Sequence, residues 1–203
     1  MRKYGNMFRA FDCPNDSVTN RVRTTDVKML CGSTAVHSDM FTWHKEEPVE
    51  LAALQLVNIL FSVPQLSVQL ENMSEEYLKM IEFYTQYWNK NRGILLDGDF
   101  LPMSPLANYP ILSASVEKKI IYGVYENMVV EIEPGYESIA LINGKMNEQI
   151  AFEVNEDMGI CEVKIYNCLG ELDWRAKDEF GEGIHALEVG ACGMICIERI
   201  AEI

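Results

Sequence analysis

Basic residues are scarce in this sequence of 203 amino acids. It holds 17 Lys and Arg against 31 Asp and Glu, so the formal net charge is −14. Such a charge repels phosphate backbones and anionic membrane surfaces. Nucleic acids and lipids are therefore excluded as first candidates for a partner, whereas neutral ligands such as sugars remain open.

Signals for metal binding, export and membrane insertion are also missing. None of the six cysteines forms a C-x-x-C pair, the spacing typical of zinc or redox sites. Cys192 and Cys196 lie in an apolar, glycine-rich stretch, so we interpret them as buried thiols rather than metal ligands. The N-terminus has no apolar signal-peptide core, and no run reaches the ~18 apolar residues of a membrane span. We expect a protein of the reduced cytoplasm.

The composition that remains is that of a folded protein, with 48% hydrophobic and 24% charged residues. Up to about residue 101 the pattern alternates between short strands and helices. The predicted elements are a strand at 7–11, a helix from Asn15 or Asp16 to Gly32, a strand at 33–37, an apolar helix at 49–63 and a helix at 74–92.

After Pro105 the pattern changes to eight short runs rich in Val, Ile and Tyr, separated by Gly, Asn, Asp or Pro. Short strands without intervening helices predict an antiparallel β-sandwich. We therefore expect two domains, an α/β domain at 1–104 and an all-β domain at 105–203.

The α/β part is too short to be a complete layer. Parallel strands are buried on both faces and need neighbours on both sides, which two strands do not supply. A closed (β/α)8 barrel takes about 250 residues, so we interpret residues 1–104 as the last two βα units of a TIM barrel. Most of such a barrel would lie outside this chain.

The candidate catalytic residue is Asp12, where the first predicted strand enters its loop. In these barrels the reacting groups sit in the loops at the C-terminal strand ends. Glycoside cleavage needs two carboxylates, and Asp12 is placed to be one of them. The alternative is that Asp12 only shapes the turn. Asp16, four residues later, is predicted to cap the following helix and is also a candidate for substrate binding.

The loop after the second strand contains His37, Asp39, Trp43 and His44. The His-x6-His spacing is not a familiar ligand arrangement, so we predict neither a metal nor a cofactor. An aromatic ring beside polar side chains suits sugar recognition better, because a Trp face packs on the C–H face of a pyranose. Asp39 and Trp43 are therefore predicted to bind substrate.

Three runs of sequence carry a resemblance to a known family. They are F-R-A-F-D-C-P-N-D-S-V-T-N-R, G-S-T-A-V-H-S-D-M-F-T-W-H and A-A-L-Q-L-V-N-I-L-F-S-V-P-Q-L-S-V. The chain resembles the C-terminal half of α-galactosidases of glycoside hydrolase family 36. The resemblance implies a retaining, exo-acting hydrolase of terminal α-galactosides such as melibiose and raffinose. It also implies an N-terminal β-supersandwich, a central (β/α)8 barrel and a C-terminal β domain, with Asp12 matching the general acid/base.

One departure from the family pattern concerns the nucleophile. The family's nucleophile is an Asp in a Lys-Trp-Asp-like motif, and the 203 residues contain no such motif. We therefore expect this chain to be the C-terminal portion of such an enzyme and to be inactive alone. We also expect it to self-associate or to bind a separate chain that supplies the missing part of the barrel. Two alternatives stay open. One is a non-catalytic module that binds carbohydrate or stabilises a partner, and the other is one half of a split glycosidase.

Overall fold

Short strands and three helices make up the N-terminal half, and β-strands make up most of the rest. The computed structural model describes residues 4–11, 16–32, 34–38 and 43–200. The helices are α1 (Ser17–Cys31), α2 (Val49–Asn58) and α3 (Glu75–Asp97). The strands are β1 (Met7–Arg9), β2 (Ala35–His37), β3 (Asp99–Pro102), β4 (Ile111–Val116), β5 (Lys119–Val124), β6 (Val129–Ile132), β7 (Ser138–Asn143), β8 (Gln149–Val154), β9 (Gly159–Tyr166), β10 (Leu172–Phe180), β11 (Gly183–Glu188) and β12 (Met194–Arg199). Within these ranges no helix has the length and apolar character needed to cross a bilayer.

The N-terminal part is a parallel strand–helix repeat. Strands β1 and β2 pair in parallel, with Phe8 opposite Val36. Val63, which follows α2, makes a further parallel bridge to His37. Three strand positions, each followed by a helix, therefore lie side by side, where the sequence predicted two. The third was missed because it amounts to one bridging residue before Pro64.

The helix boundaries follow from their caps. Helix α1 ends at Gly32, which has a φ of 57° and donates its N–H to the carbonyl of Lys28. Helix α3 begins after Ser74, whose side chain accepts the N–H of Tyr77. It continues through Gly93, where the sequence predicted its end, to Asp97. Gly98 follows the last residue of the helix. A Cβ at this position would lie 2.5 Å from the carbonyl oxygen of Ile94, so only glycine fits there.

The β part is a sandwich of two unequal sheets. The larger has seven strands in the order β10-β9-β12-β7-β5-β4-β3, and the smaller has three in the order β11-β8-β6. Most pairs are antiparallel, as predicted, but β5 pairs with β7 and β6 with β8 in parallel. The parallel pairs arise because the chain passes to the other sheet between partners, which turn signals do not reveal. Strand β3, in the region read as helical, already belongs to the larger sheet.

The larger sheet is covered on both faces. Along β5, Ile120 and Tyr122 pack with Phe152 of β8 in the core between the sheets. Ile121 points the other way and packs with Met80 of α3. A strand buried on both faces reads as a continuous apolar run rather than an alternation. This explains the sequence of β4, β5, β7 and β12, the central strands.

The apolar helix α2 is buried by its own chain. Ala52, Ala53 and Val57 are fully inaccessible and belong to the core that includes α3 and one face of the larger sheet. The hydroxyl of Tyr125, at the end of β5, donates to the carbonyl of Val57 at 3.2 Å. The covering of α2 therefore does not require a partner protein.

A buried arginine joins the helices to the β part. Arg21 of α1 is 1% exposed and donates from Nε and Nη2 to the carbonyl of Asn108, at 3.1 and 3.0 Å. Its Nη1 donates to the side-chain oxygen of Asn58 in α2, and its guanidinium lies 4.3 Å from the ring centre of Tyr125. The groups around this guanidinium are carbonyl oxygens and an aromatic face rather than a carboxylate, and burial lowers the pKa of Arg21.

The segment that accepts these hydrogen bonds is strained. Ser104, Asn108 and Tyr109 all have positive φ, at 49°, 59° and 54°. Residues other than glycine adopt this conformation only where surrounding contacts hold it. Arg21 holds the Asn108 carbonyl, and the Tyr109 hydroxyl donates to Asp26 of α1 at 2.5 Å. That hydrogen bond, with burial, raises the pKa of Tyr109 to about 12.

We predict that Arg21→Ala lowers the free energy of unfolding by about 3 kcal/mol, because buried carbonyl and amide groups lose their donor. Arg21→Lys recovers only part of this, since an ammonium does not reproduce the planar fork. Urea unfolding followed by circular dichroism measures both. Arg92→Ala, at an exposed position of α3, is the control and changes stability by about 0.5 kcal/mol or less. A similar small effect at Arg21 would contradict the assignment.

A second buried cation lies further along α1. Lys28 is 8% exposed and donates from Nζ to the carbonyls of Phe61 and Leu95, at 2.9 and 2.5 Å. The ammonium also lies 4.4 Å from the ring centre of Phe100. Burial lowers the pKa of Lys28 to about 8, against the opposing effect of Asp97. The carbonyl groups that bind this ammonium come from the last turn of α3 and from the segment after α2. Burial of the charge costs free energy of folding, as the lowered pKa indicates.

This cost predicts a pH dependence. The folded pKa lies below the ordinary 10.5, so the unfolded chain binds the proton more readily and the cost disappears as the pH rises from about 8 to 10.5. The difference in unfolding free energy between Lys28→Met and the native chain should shift by about 2–3 kcal/mol in favour of the native chain across that window. Urea titrations at several pH values measure it. Lys177→Met, at an exposed lysine, serves as the control, and a pH-independent difference at Lys28 would contradict the prediction.

Candidate active site at the ends of the parallel strands

Three C-terminal strand ends meet at one edge of the parallel layer. The N–H of Ala10, just after β1, donates to the carbonyl of His37 at 3.2 Å. The N–H of Ser38, just after β2, donates to the carbonyl of Val63 at 3.1 Å. The loops that follow β1 and β2 therefore leave from adjacent points. This is the edge at which parallel α/β folds place their reacting groups.

Side chains lock the second and third strand ends together. His37 Nδ1 lies 2.9 Å from Oε1 of Gln65, and the Gln65 N–H donates to the hydroxyl of the fully buried Ser38 at 3.2 Å. The hydrogen bond to Gln65 requires a proton on His37 Nδ1, because the amide oxygen is an acceptor. Sequence reasoning assigned no role to Gln65, although the residue lies in the third run that carries the family resemblance. These two hydrogen bonds connect the end of β2 to the segment that follows Val63.

A side chain of α1 contacts the segment that follows β1. The guanidinium of Arg23 lies 3.8 Å from the ring centre of Phe11, a cation–π contact. Phe11 is 43% exposed and directly precedes the candidate catalytic residue in sequence. The contact fixes the point from which the loop after β1 departs.

Asp12 and Asp39, the two candidates at the starts of these loops, lie outside the described residues. Their neighbours on the strand side, Phe11 and Ser38, are described and follow strands that pair directly. The roles of Asp12 as acid/base and of Asp39 in substrate binding stay predictions.

Asp16 caps α1, as its position suggested. Its carboxylate accepts the N–H of Thr19 at 2.9 Å through Oδ1 and the Thr19 hydroxyl at 2.7 Å through Oδ2. These hydrogen bonds, the backbone one first, lower the pKa of Asp16. Both oxygens are engaged within the helix terminus, so a contact with substrate would compete with the cap. Substrate binding by Asp16 stays a prediction.

Trp43 is packed into the core rather than presented at the surface. It is 8% exposed and meets Tyr77 of α3 edge-on, with ring centres 6.1 Å apart. The Tyr77 hydroxyl donates to the carbonyls of Glu47, at 2.8 Å, and His44, at 3.2 Å. Tyr77 therefore clamps the loop that carries Trp43 onto α3. In this arrangement Trp43 positions the loop, and its contact with a sugar stays a prediction.

The described residues contain no group of three His, Cys, Asp or Glu arranged to hold a metal ion. His37 points to Gln65, and Nδ1 of His44 is 3.4 Å from the N–H of Glu46. Cys192 is buried, with its thiol 3.4 Å from the carbonyl of Glu50. Burial raises the pKa of the Cys196 thiol to about 11. Cys192 is therefore a buried thiol, as interpreted from the sequence, whereas Cys196 is only partly buried against the same core.

No family model and no curated protein match the chain. Several solved structures are similar, among them the following three. An α-amylase from Anoxybacillus shares 12% identity at a TM-score of 0.50, over 92% of this chain and 46% of that one. CelM2, a bifunctional glucanase-xylanase from a metagenome library, shares 13% identity at a TM-score of 0.46, over 95% of this chain and 38% of that one. A glucosidase from Croceicoccus marinus shares 10% identity at a TM-score of 0.42, over 96% of this chain and 53% of that one.

The chain thus spans about two fifths to one half of the length of these proteins. At such identities the likeness concerns the fold. The strand–helix layer followed by a β-sandwich is shared, as a fold, with part of the Anoxybacillus α-amylase structure.

We predict that Asp16→Ala lowers the free energy of unfolding by about 1 kcal/mol through loss of the cap. Asp16→Asn, which keeps an accepting oxygen, loses less. The carboxylate's contribution is present at neutral pH and is lost as the pH falls through its lowered pKa. Urea unfolding of the native chain and both variants, at pH 7 and at acidic pH, measures these differences in stability. Equal stability of the native chain and Asp16→Ala at pH 7 would exclude the capping role.

Proposed function

We propose that this chain supplies the general acid/base and the C-terminal β domain of a retaining α-galactosidase that acts on terminal α-galactosides of the melibiose and raffinose type. The nucleophile comes from barrel strands outside this sequence. The observation that supports the proposal is the adjacency of the β1 and β2 ends, since the sequence continues from these two ends into the segments with Asp12 and Asp39.

The mechanism assigns two successive roles to Asp12. As an acid it donates its proton to the glycosidic oxygen while the nucleophile's carboxylate attacks the anomeric carbon, which releases the aglycone and forms a glycosyl-enzyme. As a carboxylate it then takes a proton from the water that attacks the same carbon and frees galactose. Asp39, from the neighbouring loop, accepts hydrogen bonds from sugar hydroxyls.

The charge of the protein supports a neutral substrate. A net charge of −14 disfavours phosphorylated or acidic sugars, whereas a galactoside is not repelled. The packed His37–Gln65 pair and the Arg23–Phe11 contact support a role in positioning. They fix both loop origins, and catalytic geometry tolerates only small displacements.

The first arm of the test uses the chain alone with p-nitrophenyl α-galactoside. No hydrolysis is expected, because no nucleophile motif is present in the sequence. Hydrolysis that disappears in Asp12→Asn would contradict the part of the proposal that places the nucleophile outside the chain.

The second arm combines the chain with a segment that carries the Lys-Trp-Asp motif, encoded upstream or in a neighbouring reading frame. Hydrolysis of melibiose is expected to appear and to fall by about 10²–10⁴-fold in Asp12→Asn. An aryl galactoside with a good leaving group needs less protonation, so its first step should be affected much less. Azide should then rescue turnover by attacking the glycosyl-enzyme, giving α-galactosyl azide.

Glu182→Gln serves as the matched control in this second arm, because it removes the charge of an exposed carboxylate of the β part that no prediction places at the site. It should keep most of the activity. Equal losses in the two variants, or a loss in Asp12→Asn that does not depend on the leaving group, would remove Asp12 from the acid/base role.

The non-catalytic alternative is weakened by one observation. An exposed α2 would need a partner surface, but most of its apolar residues are covered by α3 and the larger sheet, with Leu51 at 38% exposure the exception. A split enzyme, with the nucleophile on a separate chain, is one form of the proposal and gives the same outcomes.

A further inference from the structure

A cleft of about 590 Å³ lies in the β-sandwich, away from the ends of the parallel strands. It is lined by residues of β9, β10 and β11 and of the turns at 148 and 189–190. Strand β10 is the edge of the larger sheet and β11 the edge of the smaller one. The cleft is therefore where the two sheets part, and its floor reaches the core between them.

The floor is apolar and one wall is aromatic. Ile165 and Val189 belong to the core between the sheets, with Leu187 packed against it. Trp174 of β10 lines the cleft and keeps 41% of its surface exposed. Trp43, by contrast, is buried. An exposed aromatic ring beside a concave, partly apolar surface is typical of a site that binds a small molecule.

A β-bulge coincides with this tryptophan. The register of β10 against β9 shifts between Leu172, opposite Tyr166, and Trp174, opposite Ile165, so Asp173 is the extra residue. Bulges redirect side chains and recur beside binding sites. Here Asp173 and Trp174 both line the cleft, which strict alternation along a strand would not allow.

The opposite rim is held rigid by a buried amide. Asn143 is fully buried and donates from Nδ2 to the carbonyls of Asn147, at 2.7 Å, and Gly190, at 3.1 Å. The N–H of Val189 donates to the carbonyl of Glu148 at 3.1 Å. The turns that form the rim are thus fixed before any ligand arrives, which lowers the entropic cost of binding.

The polar groups of the cleft are acidic. Glu148, Asp173 and Glu188 line it, and no Lys, Arg or His does among the described residues. The nearest cation in sequence, Arg175, is paired with Glu162, with Nε 3.0 Å from Oε1. Carboxylates accept hydrogen bonds and repel anions. They also do not form a metal cluster within the described ranges.

From these features we infer that the cleft is a second, non-catalytic binding site for a neutral oligosaccharide. The face of Trp174 packs on the C–H face of one sugar ring, and the carboxylates accept its hydroxyl protons. A protein strand added to the β10 edge is disfavoured, because that edge carries Lys177, Asp178 and Glu179. The inference goes beyond the proposed function and does not depend on Asp12.

The experiment is a titration of the chain with raffinose, maltotriose and xylotriose, followed by the three indole N–H signals in ¹H–¹⁵N spectra. At least one sugar should shift the Trp174 signal in a saturable manner at millimolar concentration and leave the Trp88 signal unchanged. Trp174→Ala should weaken binding roughly tenfold, read from the backbone signals of Leu187 and Val189. Trp174→Tyr, which keeps a flat ring, should lose less.

Ile184→Ala, an exposed apolar residue of β11 that does not line the cleft, is the matched control and should bind as the native chain does. Asp12→Asn should also bind normally, which separates this site from the catalytic proposal. The inference is overturned if none of the three sugars shifts Trp174, or if Trp174→Ala leaves binding intact. A saturable response to calcium or to a lysine-rich peptide, with none to sugars, would likewise overturn it.

Discussion

The buried guanidinium of Arg21 is the contact on which the arrangement of this molecule depends. It reaches from α1 to the side chain of Asn58 in α2 and to the carbonyl of Asn108, at the entrance to the β part. A charge at 1% exposure is costly unless its donors are all engaged, and here carbonyl, amide and aromatic groups engage it. The strand–helix layer and the sandwich are therefore locked to one another through α1.

The same lock positions the candidate active site. Helix α1 carries Arg21 on the side that meets the β part, Asp16 at its N-terminal cap and Arg23 against Phe11 at the end of β1. The loop that contains Asp12 thus runs between a strand end and a helix start that are both fixed. An acid/base residue needs such support, because its proton must meet one oxygen of the substrate.

The seven-stranded sheet organises the rest. Its central strands are buried by helices on one face and by three strands on the other, which consumes the most apolar runs of the sequence. Its edge strand β10 lies outside this double cover and is largely exposed. The cleft beside Trp174 is a consequence, because a seven-stranded sheet and a three-stranded sheet do not close over each other along their full width.

Local signals in the sequence were sufficient for several features. The cap at Asp16, the end of α1 at Gly32, the burial of α2 and the strand content after residue 105 follow from residue types and spacing, which act over a few residues. Eight runs were counted after Pro105, where the described residues form the nine strands β4 to β12, because the turn between β4 and β5 uses Glu117 at a φ of 53° instead of a glycine or asparagine. The end of α3 was misplaced because Gly93 is tolerated inside a helix.

The sequence by itself determined the two-part organisation, the acidic surface and the position of Asp12 after a strand, because charge, apolar periodicity and turn residues are encoded locally. Only the tertiary structure decided that Arg21 is bound by carbonyls rather than by an acid, that Gln65 locks His37, and that Trp174 rather than Trp43 is exposed. Arg21 and Asn108 are 87 positions apart and His37 and Gln65 are 28 apart, so the residues of each pair meet only when the strands and helices pack. No local pattern records which of them will meet.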